Sequence, residues 1–269
     1  MAQDKEYPYQ LGLALSGGGA KGFAHLGVLK VLDEKGIKPD IISGTSAGAL
    51  AGALYADGHD PEEILTFFEK KAFKEFAEFT IPQSGIFKVD RLKQFLKKHL
   101  RAKTFEDLQI PLRIIATDIE NGTSTVFDEG ALIPTILASC AFPIIFKPVE
   151  IENTHYVDGG LFKNFPVSTI RKECEIIIGV NVTPLTKQEY KNSLVYIAER
   201  SFHYVSIANA LPDRRLCNIL IEPKDVSNFT MFTLDHTHEI YEIGYQTAIT
   251  DLEKEKNIPF LEKLLKPSK

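Results

Sequence analysis

Residues 44–48 read Gly44-Thr45-Ser46-Ala47-Gly48, set between a short apolar run at 40–43 and an alanine-rich stretch at 47–56. No other feature limits the fold as strongly. A G-x-S-x-G pentapeptide in this setting describes a serine on a tight strand-to-helix turn. The hydroxyl is pushed outward there, and the crowded flanks admit only glycine or a similarly small residue. The run 40–43 supplies the strand, 47–56 supplies the helix, and Gly58 is its C-terminal stop. The first helical turn aims free N–H groups and a positive dipole at any oxyanion formed above Ser46.

The alternation of strand and helix recurs along the chain. Strand-length apolar runs at 10–15, 40–43, 112–118, 124–128, 148–152, 175–182 and 218–222 alternate with helix-period segments, one of them from about 21 to 34 with Gly36 just past its end. This predicts an α/β fold, a three-layer α/β/α sandwich with a mostly parallel central sheet. No internal repeat and no linker rich in Pro, Gly or Ser interrupts the 269 residues, so residues 1–269 are expected to form one domain.

The formal net charge of -5 argues against nucleic acid as a partner, and no polybasic tail is present to clamp an anionic membrane. A membrane contact is therefore expected to be local, peripheral and transient. Cys140, Cys174 and Cys217 are too few and too scattered for a disulfide framework or a metal cluster, and read as small buried hydrophobes. The N-terminus has no apolar h-region, and no stretch approaches the roughly 18–20 apolar residues that span a bilayer. The expected compartment is the cytoplasm. Oligomeric state is left open.

Two segments carry strong helical periodicity. Residues 61–80 place Ile64, Leu65, Phe68, Ala72, Phe76 and Phe79 on one face, widened by Phe67 and Phe73. A lid or lipid-facing helix competes here with a helix packed on the core, and the second reading is favoured. Residues 90–100 start with an Asp cap and bury Leu92, Phe95, Leu96 and Leu100, leaving a basic face of Arg91, Lys93, Lys97 and Lys98, for which contact with anionic head groups competes with plain solvation and the second reading is favoured.

Ser16-Gly17-Gly18-Gly19-Ala20-Lys21-Gly22 follows the first strand and opens the first helix. Gly17, Gly19 and Gly22 satisfy G-x-G-x-x-G, the dinucleotide fingerprint. Its acidic partner should close the second strand, but Asp40 starts that strand, and its far end leads into Gly44-Thr45-Ser46. A P-loop fails because no G-K-[ST] follows. The glycines also read as an oxyanion hole, bare backbone whose N–H groups reach a carbonyl oxygen, with Gly18 and Gly19 the foremost donors. A tight turn alone explains one or two glycines better than three.

Ser46 needs a base. His25 and His99 fall inside helix patterns, His59 in a turn, and His203, His236 and His238 in or near helical stretches, so none occupies a loop after a strand as an α/β-hydrolase requires. Asp158 in Val157-Asp158-Gly159-Gly160 ends a strand-like segment, and with an ordinary pKa near 4 it is ionised at neutral pH. Taken alone, Asp-Gly-Gly is as readily a turn.

Together these residues resemble the patatin-like phospholipases, serine acyl hydrolases with a Ser-Asp dyad. Gly17 to Gly22 resembles the family's oxyanion loop, Gly44 to Gly48 its nucleophile turn, and Asp158-Gly159-Gly160 its dyad element. Ala138-Ser139-Cys140-Ala141-Phe142-Pro143, with Phe146 and Pro148, resembles the segment before the dyad aspartate; Asn164 and Pro166 resemble the one after it. The resemblance spans most of residues 11–182, most closely as in short bacterial members. It implies Ser46 as nucleophile, Asp158 as general base, and Gly17, Gly18 and Gly19 as oxyanion hole, with Lys21, Gly22, Gly44, Gly48, Gly159 and Gly160 as supporting motif residues. It implies a lipid or acyl-ester substrate, with no metal and no cofactor. A non-catalytic lipid-binding or regulatory protein on the same scaffold is the alternative. The acyl chain needs an apolar slot, for which residues 142–146, 61–80 and 229–232 are the candidate walls, each of them equally readable as core.

Overall fold

Residues 6–69, 90–143, 145–185, 187, 189–190, 192–231 and 234–265 are described in the computed structural model. The strands are β1 (Tyr9–Leu15), β2 (Ile41–Thr45), β3 (Leu112–Asp118), β4 (Thr123–Phe127), β5 (Val149–Ile151), β6 (Thr154–Asp158), β7 (Cys174–Val180) and β8 (Ile219–Ile221). They form one sheet in the order β5-β6-β3-β2-β1-β7-β8, with β4 paired to β3 off this path. β3, β2, β1, β7 and β8 run parallel, while β4, β5 and β6 pair antiparallel. The sheet is thus mixed and mostly parallel.

Eight α-helices lie among the described residues: α1 (Phe23–Glu34), α2 (Ala47–Ala56), α3 (Pro61–Glu69), α4 (Asp90–His99), α5 (Leu132–Ser139), α6 (Leu194–Arg214), α7 (Thr237–Leu252) and α8 (Ile258–Leu264). The period-2 alternation of the strands decides which helices cover which side. Leu11, Leu13 and Leu15 of β1, with Ile176, Ile178 and Val180 of β7, belong to a core shared with α1, α2 and α7. Ala14 and Ile177 point the other way, into a second core that Phe165, Ile170, Ala210 of α6 and Cys174 at the start of β7 complete. Helices therefore flank both faces.

Most predicted elements occur within one or two residues of their expected bounds. The helix expected from residue 21 opens instead with a 3-10 turn (Gly19–Gly22), and α1 proper starts at Phe23. β2 runs on to Thr45, directly beneath the serine. The helix expected over 61–80 is present as α3, whose Ile64, Leu65, Phe67 and Phe68 are buried; its continuation with Ala72, Phe73, Phe76 and Phe79 lies outside the described residues. In α4, Leu92 and Leu96 are buried, and Arg91, Lys93, Lys97 and Lys98 are exposed as expected. Among the described residues no helix is long and apolar enough to cross a membrane.

Candidate active site

Parallel strands deliver their C-terminal ends to one edge of the sheet, where loops open a crevice. Leu15 at the end of β1 pairs with Gly44 of β2, so the glycine loop and the serine turn emerge side by side. Thr45 pairs with Ile115 of β3, and the next β3 residue, Ala116, pairs with Asp158 at the end of β6. Three segments far apart in sequence thus converge through register alone. Asp40 lies at the opposite end of β2, where its Oδ2 accepts the Leu11 N–H at 2.8 Å. That carboxylate caps the foot of the sheet, about 16 Å of strand from the glycine loop, and does not serve a dinucleotide there.

Ser46 occupies the left-handed region with φ 52° and ψ -118°, and is one of the non-glycine residues at positive φ among the described residues. The crossing of strand and helix around it is tight. A β-carbon on Gly44 would lie 2.6 Å from the Gly48 carbonyl oxygen, and one on Gly48 would lie 2.3 Å from that of Leu15. The pentapeptide's glycines are therefore demanded by backbone approach, and a strain of the order of 1–3 kcal/mol is held at the serine.

That geometry presents the hydroxyl to Asp158. Ser46 Oγ donates to Asp158 Oδ2 at 2.7 Å, and the Gly160 N–H donates to Oδ1 at 2.8 Å. Asp158 is 3% exposed. Burial pushes its carboxyl up to about 6, a rise that the hydrogen bonds from Ser46 and Gly160 moderate. The ordinary value near 4 expected from composition is therefore corrected by desolvation, which disfavours the charged form. The Asp158 backbone is fixed on both sides: its N–H donates to the Ala141 carbonyl at 3.0 Å, and its carbonyl accepts from Thr117 Oγ1 at 3.0 Å.

The glycine loop divides its N–H groups between structure and the crevice. Gly17 donates to the Asn164 carbonyl at 2.9 Å, which commits it to holding the loop. The N–H groups of Gly18 and Gly19 have no partner among the described residues, and Gly19 lines the same cavity as Ser46. Of the three glycines expected as donors, Gly18 and Gly19 therefore retain the capacity to bind an oxyanion. Lys21 and Gly22 lie in the 3-10 turn beneath; Gly22 packs on Ala47, while the Lys21 side chain is buried and its pKa is lowered by desolvation against the raising influence of Glu199.

Two tethers were not assigned from sequence. Ser139 Oγ accepts the Ser46 N–H at 2.8 Å and donates to the Ile115 carbonyl at 2.6 Å, bridging the serine turn to β3. His25 is fully buried, and its Nε2 lies 2.8 Å from the Ser16 carbonyl; a carbonyl only accepts, so Nε2 carries the proton. Its Nδ1 has no partner among the described residues, and burial lowers its pKa to about 4. His25 thus anchors the residue before the glycines and is not among the residues that line the cavity at Ser46. Ser139 stood within a segment noted for its resemblance, but hydroxyls at helix ends carry no distinctive spacing.

A cavity of about 170 Å³ opens onto Ser46 and Asp158. Its walls come from α1 (Phe23, Leu26), α2 (Leu50, Ala51), α3 (Ile64, Phe68), α4 (Leu92) and the segment with Phe142 and Phe146. Met231 lines it as expected from 229–232, and Phe232 falls outside the described residues. Among the described residues no histidine borders this cavity. Cys140 does, with its thiol kept protonated by burial and by the Asp158 charge. Among the described residues no group of His, Cys, Asp and Glu is arranged to hold a metal ion.

Residues 13–170 match the family model described as patatin-like phospholipase. The chain is 32% identical to an uncharacterized protein, YqhO, of Bacillus subtilis over 214 residues, covering 66% of this chain and 73% of that protein. It is 28% identical over 268 residues to a protein named lysophospholipase NTE1 from Kluyveromyces lactis, covering 87% of this chain but only 18% of that much longer protein. Among solved structures, VipD from Legionella pneumophila superposes with a TM-score of 0.53 at 15% identity, covering 95% of this chain and 67% of that one. At that identity the likeness speaks for the fold alone.

Proposed function

The chain belongs to the patatin-like phospholipase family, and on that premise we propose that it is a serine acyl hydrolase of lipid esters, with Ser46 as nucleophile and Asp158 as general base. The observation that carries this reading is the 2.7 Å hydrogen bond from the strained Ser46 hydroxyl to a buried carboxylate beside an apolar cavity.

In the proposed reaction Asp158 takes the Ser46 proton as Oγ attacks the ester carbonyl. A carboxylate raised to about 6 is a stronger base than an ordinary one and is still mostly ionised at neutral pH. The negative oxygen of the tetrahedral intermediate meets the Gly18 and Gly19 N–H groups and the N-terminus of α2; removing one such donor typically loses about 3–4 kcal/mol of barrier lowering. Asp158 returns the proton to the departing alcohol, leaving the acyl group on Ser46. Water activated by Asp158 then releases the fatty acid and restores the serine.

Substrate class follows from the cavity walls, which are almost wholly apolar. Each methylene buried there contributes about 0.8 kcal/mol, so an acyl chain binds well without polar contacts, whereas a small polar ester gains little. The name lysophospholipase attached to one relative agrees with a lipid ester, although that protein is more than five times longer than the aligned segment. The test is hydrolysis of a chromogenic acyl ester and of a lipid panel by the native chain, Ser46→Ala and Asp158→Ala. Loss in both variants with retained circular dichroism is expected. Undiminished activity in either rejects the assignment, and native protein that folds but never labels with a fluorophosphonate would favour a lipid-binding role without turnover.

A further inference from the structure

The inward side of α6 breaks the rule that a helix covers a sheet with apolar side chains. Ser206, Asn209 and Asp213 stand three and four residues apart, on one side of the helix; Ser206 and Asp213 are buried and Asn209 is partly buried. All three bond to residues 160–168, the stretch that follows Asp158. Polar groups placed where packing alone asks for apolar ones are expected at functional sites.

The first part of that stretch touches every component of the site. The Gly160 N–H donates to Asp158 Oδ1 at 2.8 Å, the Lys163 carbonyl accepts from Thr45 Oγ1, next to the nucleophile, at 2.8 Å, and the Asn164 carbonyl accepts the Gly17 N–H of the glycine loop at 2.9 Å. Asn209 grips it at both ends. Its Oδ1 accepts the Asn164 N–H at 2.8 Å, and its Nδ2 donates to the Gly160 carbonyl at 2.8 Å and to that of Leu161 at 3.1 Å. An asparagine amide offers an acceptor oxygen and two donor hydrogens, which is what one N–H and two carbonyls require; an aspartate of the same size lacks the donors. The pieces are also in van der Waals register. A β-carbon on Gly160 would lie 3.0 Å from both Asn164 Oδ1 and Asp158 Oδ1, and one on Gly17 would lie 2.4 Å from Asn164 Oδ1. A shift of the 160–164 turn is therefore passed to the carboxylate and to the glycine loop together.

We propose that Asn209 is a positioning residue of the hydrolase, holding the 160–164 turn so that Asp158 and the glycine loop keep their register about Ser46. The proposal rests on the assignment of Ser46 and Asp158 as the reacting pair. Asn209 is not among the residues lining the cavity, so it acts on the base and the oxyanion loop and not on the acyl chain. Without its amide residue 160 is free to turn, and Asp158 loses the N–H that favours its charged form.

The test measures kcat, KM and the pH profile of Asn209→Ala on a chromogenic acyl ester, and follows the Asp158 carboxyl by carbon NMR, which needs no turnover. A fall in kcat of about 10²-fold is expected, as for a misplacement of the order of 1 Å, with KM nearly unchanged. The acid limb and the NMR titration are both expected to move to higher pH by roughly one unit. Cys140 beside Asp158 keeps its proton there because burial raises its thiol, and Lys163 and Asp213 pair with each other at 2.9 Å, so the limb belongs to Asp158. Asn257→Ala controls for stability alone: Asn257 is buried between α7 and α8, where its Nδ2 donates to the Asp251 carbonyl at 2.6 Å, and its loss should lower the unfolding midpoint without moving kcat or the limb. Native kcat in Asn209→Ala, a loss confined to KM, or an Asp158 titration that stays in place overturns the proposal. Should the alanine variant fail to fold, Asn209→Ser, whose hydroxyl satisfies one partner but cannot span both ends, is read by the same outcomes. A native chain without Ser46-dependent turnover would instead reject the hydrolase reading, and the NMR titration would still decide whether Asn209 sets Asp158.

Discussion

Ser46 and Asp158 both sit where a strand ends and a turn begins, yet the fold treats them in opposite ways. At Ser46 the cost is in the backbone: φ is 52°, and the flanking glycines allow the crossing. At Asp158 the backbone is relaxed, with φ -48° and ψ 128°, and the cost is in the side chain, a carboxylate buried to 3% exposure. One junction strains a chain to expose a neutral hydroxyl, while the other buries a charge to make it more basic. A single 2.7 Å hydrogen bond joins them. Each cost is useful only if the other is present, which is the pattern of strained or desolvated groups gathered at functional sites.

Breaking either side should show the difference, most strongly in rate. Ser46→Ala and Asp158→Ala are each expected to lower kcat for a chromogenic ester by about 10³-fold or more, as loss of a nucleophile or its base does in other serine hydrolases. Similar losses in the two single variants and no further loss in the double would show that the groups act as a unit; additive losses would argue against it.

Stability should move the other way at Asp158. Its folded pKa of about 6 lies above the ordinary 3.8, so the folded state holds the proton more tightly than the unfolded one. Ionisation therefore weakens the fold, by up to about 3 kcal/mol at pH values above 6, and the penalty vanishes as pH falls below about 4. Asp158→Asn removes the charge while keeping the shape, and is expected to raise stability at pH 7.5 by about 1–3 kcal/mol in denaturant titration. That gain should disappear near pH 4. A destabilised Asn variant at pH 7.5 would contradict the view of Asp158 as a desolvated charge.

Removing the tether of the serine turn is expected to act on both quantities more gently. Ser139→Ala leaves the Ser46 N–H and the Ile115 carbonyl without their bridge, and a buried unsatisfied group costs about 1–3 kcal/mol. A drop of that size in stability, with activity reduced roughly tenfold, is expected. The smallest effect belongs to the backbone itself. Ser46→Gly relieves the positive φ that Ser46→Ala keeps, so the glycine variant should be more stable than the alanine variant by about 1 kcal/mol, as read from the difference in their unfolding midpoints.

These contrasts also explain what the sequence could reveal. The serine turn was legible because strain and close approach leave a local signature, Gly44 and Gly48 around Ser46. The strands were legible from their apolar runs, and Asp158 from its glycines together with the family resemblance. The tethers were not, since Ser139 and His25 act across the fold, on β3 and on Ser16, and no spacing announces such a partner. The division of labour in the glycine loop was hidden for the same reason: Gly17 is spent on Asn164, 147 positions away, which leaves Gly18 and Gly19. Likewise the raised pKa of Asp158 depends on burial, a property that Val157-Asp158-Gly159-Gly160 does not encode by itself.

The central claim, that a buried Asp158 is the base for Ser46, is tested most directly by the pH dependence of kcat/KM for a chromogenic acyl ester. If Asp158 is the base, activity rises tenfold per pH unit on the acid side and levels off above a single apparent pKa of about 6, and Asp158→Asn lacks that limb. A profile that stays flat from pH 5 to 8, or the same limb persisting in Asp158→Asn, would contradict it.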